Sequence, residues 1–156
     1  MFSNVDEMNE AIIERHNERV KTNDEVYFLG DFAFVKTSED VHRFLRRMNG
    51  KKYFILGNHD KHFTQSDIVR SHFVWVRNYF ELKIKGVKGS PIVLFHFPIE
   101  RWNRGHHGSI HAHGHTHGHM QEKNKDVRRM DVGLDCNNLY PYELSEIIET
   151  LKDRKF

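Results

Sequence analysis

Four short segments carry side chains that could bind a divalent metal ion or move a proton. They are Gly30-Asp31, Gly57-Asn58-His59-Asp60, His96-Phe97-Pro98 and Gly114-His115-Thr116-His117. Carboxylate, amide oxygen and imidazole nitrogen are ligands that Mn²⁺, Fe²⁺, Ni²⁺ and Zn²⁺ accept. Taken singly, each segment is a weak signal. A Gly-Asp pair usually marks a turn, and a histidine at a strand end is usually a hydrogen-bonded structural residue.

Each segment follows an apolar run, and these runs predict the elements that would position the four segments. Residues 25–29 and 52–56 are short apolar stretches that predict buried strands. Helical spacing over residues 5–20, and an apolar face that carries Val41, Phe44, Leu45 and Met48, predict two helices. This alternation indicates an α/β fold with parallel strands, in which functional residues follow the carboxyl ends of strands.

The second half of the chain predicts several strands in succession and one terminal helix. The strands cover residues 75–85, 90–95, 109–113 and 128–134, and the helix covers residues 142–152. Strands in succession indicate a second, more mixed sheet packed on the first. Because 156 residues suit one hydrophobic core, we expect a single domain over residues 1–156.

Composition excludes several classes of protein. Lys and Arg number 24 and Asp and Glu 22, so the formal charge of +2 does not indicate a nucleic-acid partner. No apolar run approaches the roughly 20 residues of a membrane helix, so no membrane partner is expected. Cys136 is the single cysteine, which excludes an intrachain disulfide. With no basic and apolar leader at residues 1–9, a cytoplasmic location is predicted.

The ordered set Gly-Asp, Gly-Asn-His-Asp, His and Gly-His-x-His resembles the calcineurin-like metallophosphoesterases, in particular their small single-domain branch. The resemblance runs from about Phe2 to the terminal helix. It implies two packed β-sheets flanked by helices, an αββα sandwich, with a two-metal site between the sheets. It also implies hydrolysis of a phosphodiester or phosphomonoester by a metal-activated hydroxide. The implied cofactor is Mn²⁺, with Fe²⁺, Ni²⁺ or Zn²⁺ as alternatives, and the implied partner is a small phosphorylated or nucleotide-like substrate.

The resemblance also implies a role for each candidate residue. Asp31 would bridge two ions, His59 would be the catalytic imidazole, and Asp60 would orient that imidazole. The remaining implied metal ligands are Asn58, His96 and His115 at one ion and His117 at the other.

The chain departs from the family at its start. Members of the family begin with a strand that ends in Asp-x-His, and no such motif precedes Asp31. We therefore expect a missing first strand, a weaker second metal position and self-association through an uncovered sheet edge. The departure keeps open a non-catalytic or weakly active truncated metal-binding module that binds a phosphate ligand or a protein partner. A protein that uses metal only for structure is a third alternative.

Other polar residues carry weaker signals. His111 and His113 are expected within a strand, with a position that lines the cleft as the alternative to a purely structural one. Asp131 and Asp135 are candidate replacement ligands beside the next strand. The histidines on predicted helices are expected to be solvated, namely His16, His42, His62 and His72.

Overall fold

The computed structural model describes residues 3–30, 37–60 and 65–155, so Asp31 and His62 lie outside the described residues. Over these ranges, the first half of the chain alternates helices with three short strands. In chain order these elements are α1 (Val5–Arg19), β1 (Glu25–Phe28), α2 (Ser38–Arg46), β2 (Lys51–Ile55), α3 (Asp67–Arg70) and β3 (Phe73–Arg77).

The second half supplies four more strands and two helices, with short 3-10 turns at Gly105–His107 and Leu134–Cys136. In chain order these elements are β4 (Tyr79–Leu82), β5 (Ile92–Phe95), β6 (Ile110–His113), α4 (Gln121–Asn124), β7 (Arg129–Asp131) and α5 (Leu144–Leu151).

The strands form two sheets. The first has the order β1-β2-β3 and is parallel throughout. The second has the order β4-β5-β6-β7, with β4 antiparallel to β5 and the other pairs parallel. The prediction of an α/β protein with two sheets flanked by helices is confirmed at this level. Within the described residues β1 pairs with β2 alone, and self-association through that edge stays a prediction.

The prediction of one strand over residues 75–85 is wrong. The chain leaves the first sheet at Arg77 and enters the second at Tyr79, with Asn78 between the two strands. The run from Trp75 to Phe80 contains neither glycine nor proline, so Asn78 is the one turn-forming residue at the point where the chain changes sheets.

Two apolar clusters hold the layers together. One packs α1 and α2 on the outer face of the first sheet, with Leu45 and Phe54 fully buried. The other lies between the sheets, where Ile55 meets Leu94 and Ile110, and it includes Ile147 of the terminal helix. Within the described residues, no helix is long and apolar enough to cross a membrane.

Side-chain caps start both long helices. Asn4 accepts a hydrogen bond from Glu7 N at 2.8 Å, and Thr37 Oγ1 accepts one from Asp40 N at 3.1 Å. Such caps satisfy amide groups that have no partner in the first helical turn. The cap of α2 fixes the start of the helix that covers β2, the strand that ends at Ile55, three residues before Asn58.

Candidate metal centre

Three predicted metal ligands meet where β2, β5 and β6 end. His96 is fully buried, and its Nε2 atom lies 3.0 Å from Asn58 Oδ1 and 3.2 Å from His115 Nδ1. Asn58 and His115 are exposed, so the cluster opens to solvent on one side. Parallel pairing of β5 with β6 brings His96 and His115 to the same edge of the second sheet, and Asn58 reaches them from the end of β2 in the first sheet.

The hydrogen bonds of His96 direct a lone pair into this cluster. Its Nδ1 atom lies 2.7 Å from Leu29 O, a carbonyl that can only accept, so Nδ1 carries a proton and donates it. In the neutral ring, Nε2 then presents its lone pair to Asn58 Oδ1, which is also an acceptor. The amide group of Asn58 places its Nδ2 atom 3.1 Å from His59 Nε2, consistent with the oxygen facing His96.

Two lone pairs at 3.0 Å are mutually unfavourable unless a positive charge lies between or beside them. An amide oxygen with two imidazole nitrogens is also a donor set that first-row divalent ions accept. The side chains of Asn58, His96 and His115 therefore fit a divalent cation. Within residues 3–30, 37–60 and 65–155, no group of three His, Cys, Asp or Glu side chains forms a metal site. Asp31, the predicted carboxylate ligand, lies outside those ranges.

Two glycines let the backbone approach His96 closely. At Gly30, φ is +94°, and an added Cβ atom would lie 2.5 Å from His96 Nδ1 and 2.8 Å from Gly57 Cα. At Gly114, an added Cβ atom would lie 3.1 Å from Leu29 O. Gly30, the residue before Asp31, adopts a left-handed backbone conformation, which permits a tight turn after β1.

The two predicted catalytic residues have different surroundings. His59 is exposed and contacts Asn58 through its Nε2 atom. Asp60 is buried, and its Oδ2 atom accepts a hydrogen bond from Gly57 N at 2.6 Å. The carboxylate of Asp60 thus closes the turn that presents Asn58 and His59. Its predicted role in orienting the His59 ring stays a prediction.

His117, the ligand predicted for the second metal, is exposed and contacts Asp135. Its Nδ1 atom lies 2.7 Å from Asp135 Oδ2. A carboxylate that holds one nitrogen of a histidine fixes the ring and leaves the other nitrogen as the ligand atom. Asp135 was predicted as a replacement ligand, and in the structure it is the partner of His117.

A buried carboxylate fixes the loop that carries His115 and His117. Both histidines have positive φ, 67° and 49°, which non-glycine residues rarely adopt. Asp131 accepts hydrogen bonds from Thr116 Oγ1 at 2.5 Å, Gly118 N at 3.0 Å and Gly133 N at 2.9 Å. One side chain therefore ties the histidine loop to the turn that presents Asp135.

The charge of Asp131 is stabilised despite its burial. Burial alone would raise the pKa of Asp131, but the hydrogen bonds from Thr116, Gly118 and Gly133 outweigh it and hold that pKa below its ordinary value. Asp131 was predicted only as a replacement ligand. Its position two residues before Gly133 and its polarity were visible in the sequence, but its three donors come from two loops that meet only in the fold.

His111 and His113 are buried structural residues rather than residues that line an open cleft. His111 Nδ1 donates to Val93 O at 3.0 Å, and His111 Nε2 accepts from Ile99 N at 3.0 Å. His113 Nδ1 donates to Gly114 O at 2.8 Å, and its Nε2 atom accepts from Asn124 Nδ2 at 3.1 Å. Burial is the main cause that lowers the pKa of both rings, that of His111 to about 4.

The expectation that the helix histidines are solvated is wrong for three of them, and His62 lies outside the described residues. His16 is buried, and its Nε2 atom lies 2.8 Å from Asn49 O. His42 and His72 are half-buried, with 2.7 Å between His42 Nδ1 and His72 Nε2. His16 faces inward because it lies one helical turn after the buried Ile12 on α1.

The fold and site define an α/β protein with two packed sheets and a cluster of imidazole and amide groups at its strand ends. The chain is 30% identical over 159 residues to the uncharacterized protein MJ1445 of Methanocaldococcus jannaschii, and the alignment covers 99% of this chain and 81% of that protein. The chain therefore belongs to the family of MJ1445.

A solved structure has a similar fold. The crystal structure of AQ665, a protein of unknown function from Aquifex aeolicus, matches this chain with a TM-score of 0.71 and 23% sequence identity. The match covers 97% of this chain and 87% of AQ665, so the arrangement of two sheets extends over both proteins. No protein-family model matches the chain.

Proposed function

We propose that this chain is a metal-dependent phosphoesterase with the calcineurin-like metallophosphoesterase fold, and that it acts on phosphodiesters in preference to phosphomonoesters. The observation that carries the proposal is the convergence of His96 Nε2 with Asn58 Oδ1 at 3.0 Å and His115 Nδ1 at 3.2 Å. These atoms are metal-ligand types, and they converge at an opening to solvent.

Asn58, His96 and His115 would hold the first divalent ion, together with Asp31 as its predicted carboxylate ligand. His117, fixed by Asp135, would contribute to a second and weaker position. When bound, Mn²⁺ or a similar ion would lower the pKa of a water molecule and neutralise charge on the phosphoryl oxygens.

The chain's own residues orient the ligands and handle the proton. Leu29 O fixes the ring of His96, and Asp60 fixes the turn that carries Asn58 and His59. In the neutral ring of His59, Nε2 accepts a hydrogen bond from Asn58 Nδ2. The ring proton therefore lies on Nδ1. After Nε2 takes up a second proton, the exposed imidazolium of His59 would donate that proton to the leaving oxygen of the substrate and return to this neutral ring.

Hydrolysis of bis(p-nitrophenyl) phosphate with and without added Mn²⁺ tests the proposal. We expect turnover that requires Mn²⁺, disappears with a chelator, and falls at least ~100-fold in Asn58→Ala and His115→Ala. Both positions are exposed, so folding should survive the changes. His106→Ala, an exposed histidine in the loop before β6, is the matched control and should retain wild-type turnover.

Two results would count against the enzyme. Equal rates with and without Mn²⁺ would contradict metal-dependent hydrolysis. Tight Mn²⁺ binding without turnover of either diester or monoester would instead support the alternative, a metal-binding module without catalytic activity.

A further inference from the structure

A strip of aromatic side chains runs from the candidate metal centre across the second sheet. The ring centroid of Phe97 lies 4.8 Å from that of His96 and 4.6 Å from that of His115. Phe95 lies 5.8 Å from Phe97, and Tyr79 lies 6.1 Å from Phe95. We refer to Tyr79, Phe95 and Phe97 as the aromatic strip.

The strip follows from the register of the sheet. Tyr79 on β4 pairs directly with Phe95 on β5, so the two side chains lie on the same face. Phe97 comes two residues after Phe95, beyond the end of β5. The strip therefore extends from the edge strand β4 to the loop that carries His96.

The ends of the strip are open to solvent, although aromatic rings of this size are usually buried. Phe97 is 37% exposed and Tyr79 is 40% exposed. Isolated exposed apolar residues are ordinary on protein surfaces. Here the exposed ring of Phe97 is in contact with two imidazoles of the candidate centre, which places an apolar wall beside the position where a phosphate would be hydrolysed.

We propose that the aromatic strip binds the base of a nucleotide whose phosphate lies at the Asn58, His96 and His115 cluster. The proposal rests on the proposed function and names the substrate class, a nucleotide phosphodiester. Any of the nucleic-acid bases can stack on an aromatic ring, because every base has a π face. Tyr79 is fixed by a hydrogen bond of 3.1 Å from its hydroxyl to Glu81 Oε2, so the far end of the strip is held in place.

The kinetic test compares two phosphodiesters with the same leaving group, thymidine 5′-(p-nitrophenyl phosphate) and methyl p-nitrophenyl phosphate. We expect the wild-type protein to prefer the base-bearing ester in kcat/KM, and Phe97→Leu to reduce that preference by about 10- to 100-fold. Phe97→Tyr keeps a ring and should restore the preference. Val74→Ala removes an exposed side chain from β3 and should leave both rates unchanged.

A binding measurement tests base binding by the aromatic strip independently of hydrolysis. Calorimetric titration with AMP and with ribose 5-phosphate should show tighter binding of AMP to the wild type, by at least about 10-fold, and equal affinities for Phe97→Leu. This result is expected even if neither ester is hydrolysed. Equal wild-type affinities, no detectable AMP binding, or an equal kinetic loss on both esters in a folded Phe97→Leu protein would overturn the proposal.

Discussion

Gly30 lies so close to His96 that a Cβ atom at position 30 would fall 2.5 Å from the Nδ1 atom of the imidazole. This same nitrogen donates to Leu29 O, so the end of β1 both binds His96 and leaves no space beside it. The buried imidazole of His96 can therefore occupy its position only if residue 30 is small and has a left-handed backbone.

Gly30→Ala should destabilise the protein more than the same substitution at a glycine that has a similar φ but free space around an added Cβ atom. The left-handed conformation costs roughly 1–2 kcal/mol for a residue with Cβ, and forced overlap adds about 1–3 kcal/mol. Gly86→Ala is the control, since φ is +78° there and nothing lies within 4 Å of an added Cβ. Thermal unfolding should give a clearly lower Tm for Gly30→Ala, and equal losses in Tm would contradict the close approach.

Asp131→Asn should weaken the loop that carries His115 and His117. The pKa of Asp131 is lowered in the folded state, so its charge contributes stability above the ordinary value of about 3.9, and that stability is lost as the pH falls through the folded pKa. We expect a loss of ~1.5–3 kcal/mol near neutral pH, typical of hydrogen bonds to a charged group.

The pH dependence provides the check on Asp131. Urea unfolding near pH 7 should separate wild type from Asp131→Asn, and the difference should shrink well below about pH 4. Asp153→Asn, at an exposed carboxylate after α5, should match the wild type throughout. A difference that stays constant down to low pH would mean that the charge of Asp131 is not what stabilises the loop.

His111 should contribute a second, separate pH dependence. Burial lowers the pKa of His111 to about 4, whereas an unfolded histidine has a pKa near 6.5. As the pH falls from about 6.5 to about 4, the unfolded state gains a proton that the folded state excludes, so stability falls by roughly 3 kcal/mol. His111→Gln should flatten the unfolding free energy over this range, and the exposed control His107→Gln should not. An unchanged slope in His111→Gln would contradict this account.

The sequence predicts those parts of the fold that depend on the pattern of neighbouring residues. An apolar run followed by Gly57 and Asn58, and a second apolar run followed directly by His96, predicted two strand ends, and both polar residues lie in the cluster. The change of sheet has a weak local signal, because a single Arg77-Asn78 pair interrupts the aromatic and β-branched residues on either side of it. The hydrogen bonds that Asp131 accepts were not predictable from the sequence, since their donors Thr116 and Gly133 come from separate loops.

His59→Ala should separate chemistry from structure. Because His59 is exposed, its loss should leave the Tm and Mn²⁺ affinity nearly unchanged, while turnover falls by roughly 10²–10⁴-fold if it donates a proton. His106→Ala serves as the control for removal of an exposed imidazole. Wild-type turnover in His59→Ala would contradict a catalytic role for His59 but would not contradict the proposed metal centre.

Asn58, His96 and His115 are proposed to form a divalent cation site. The most direct measurement is the anomalous scattering of Mn²⁺ in crystals of the full chain grown with that ion. We expect a strong peak in contact with Asn58 Oδ1, His96 Nε2 and His115 Nδ1, and a weaker or absent peak beside His117 Nε2. A crystal in which Mn²⁺ occupies other positions and leaves these three atoms without a peak would show that they do not form the site.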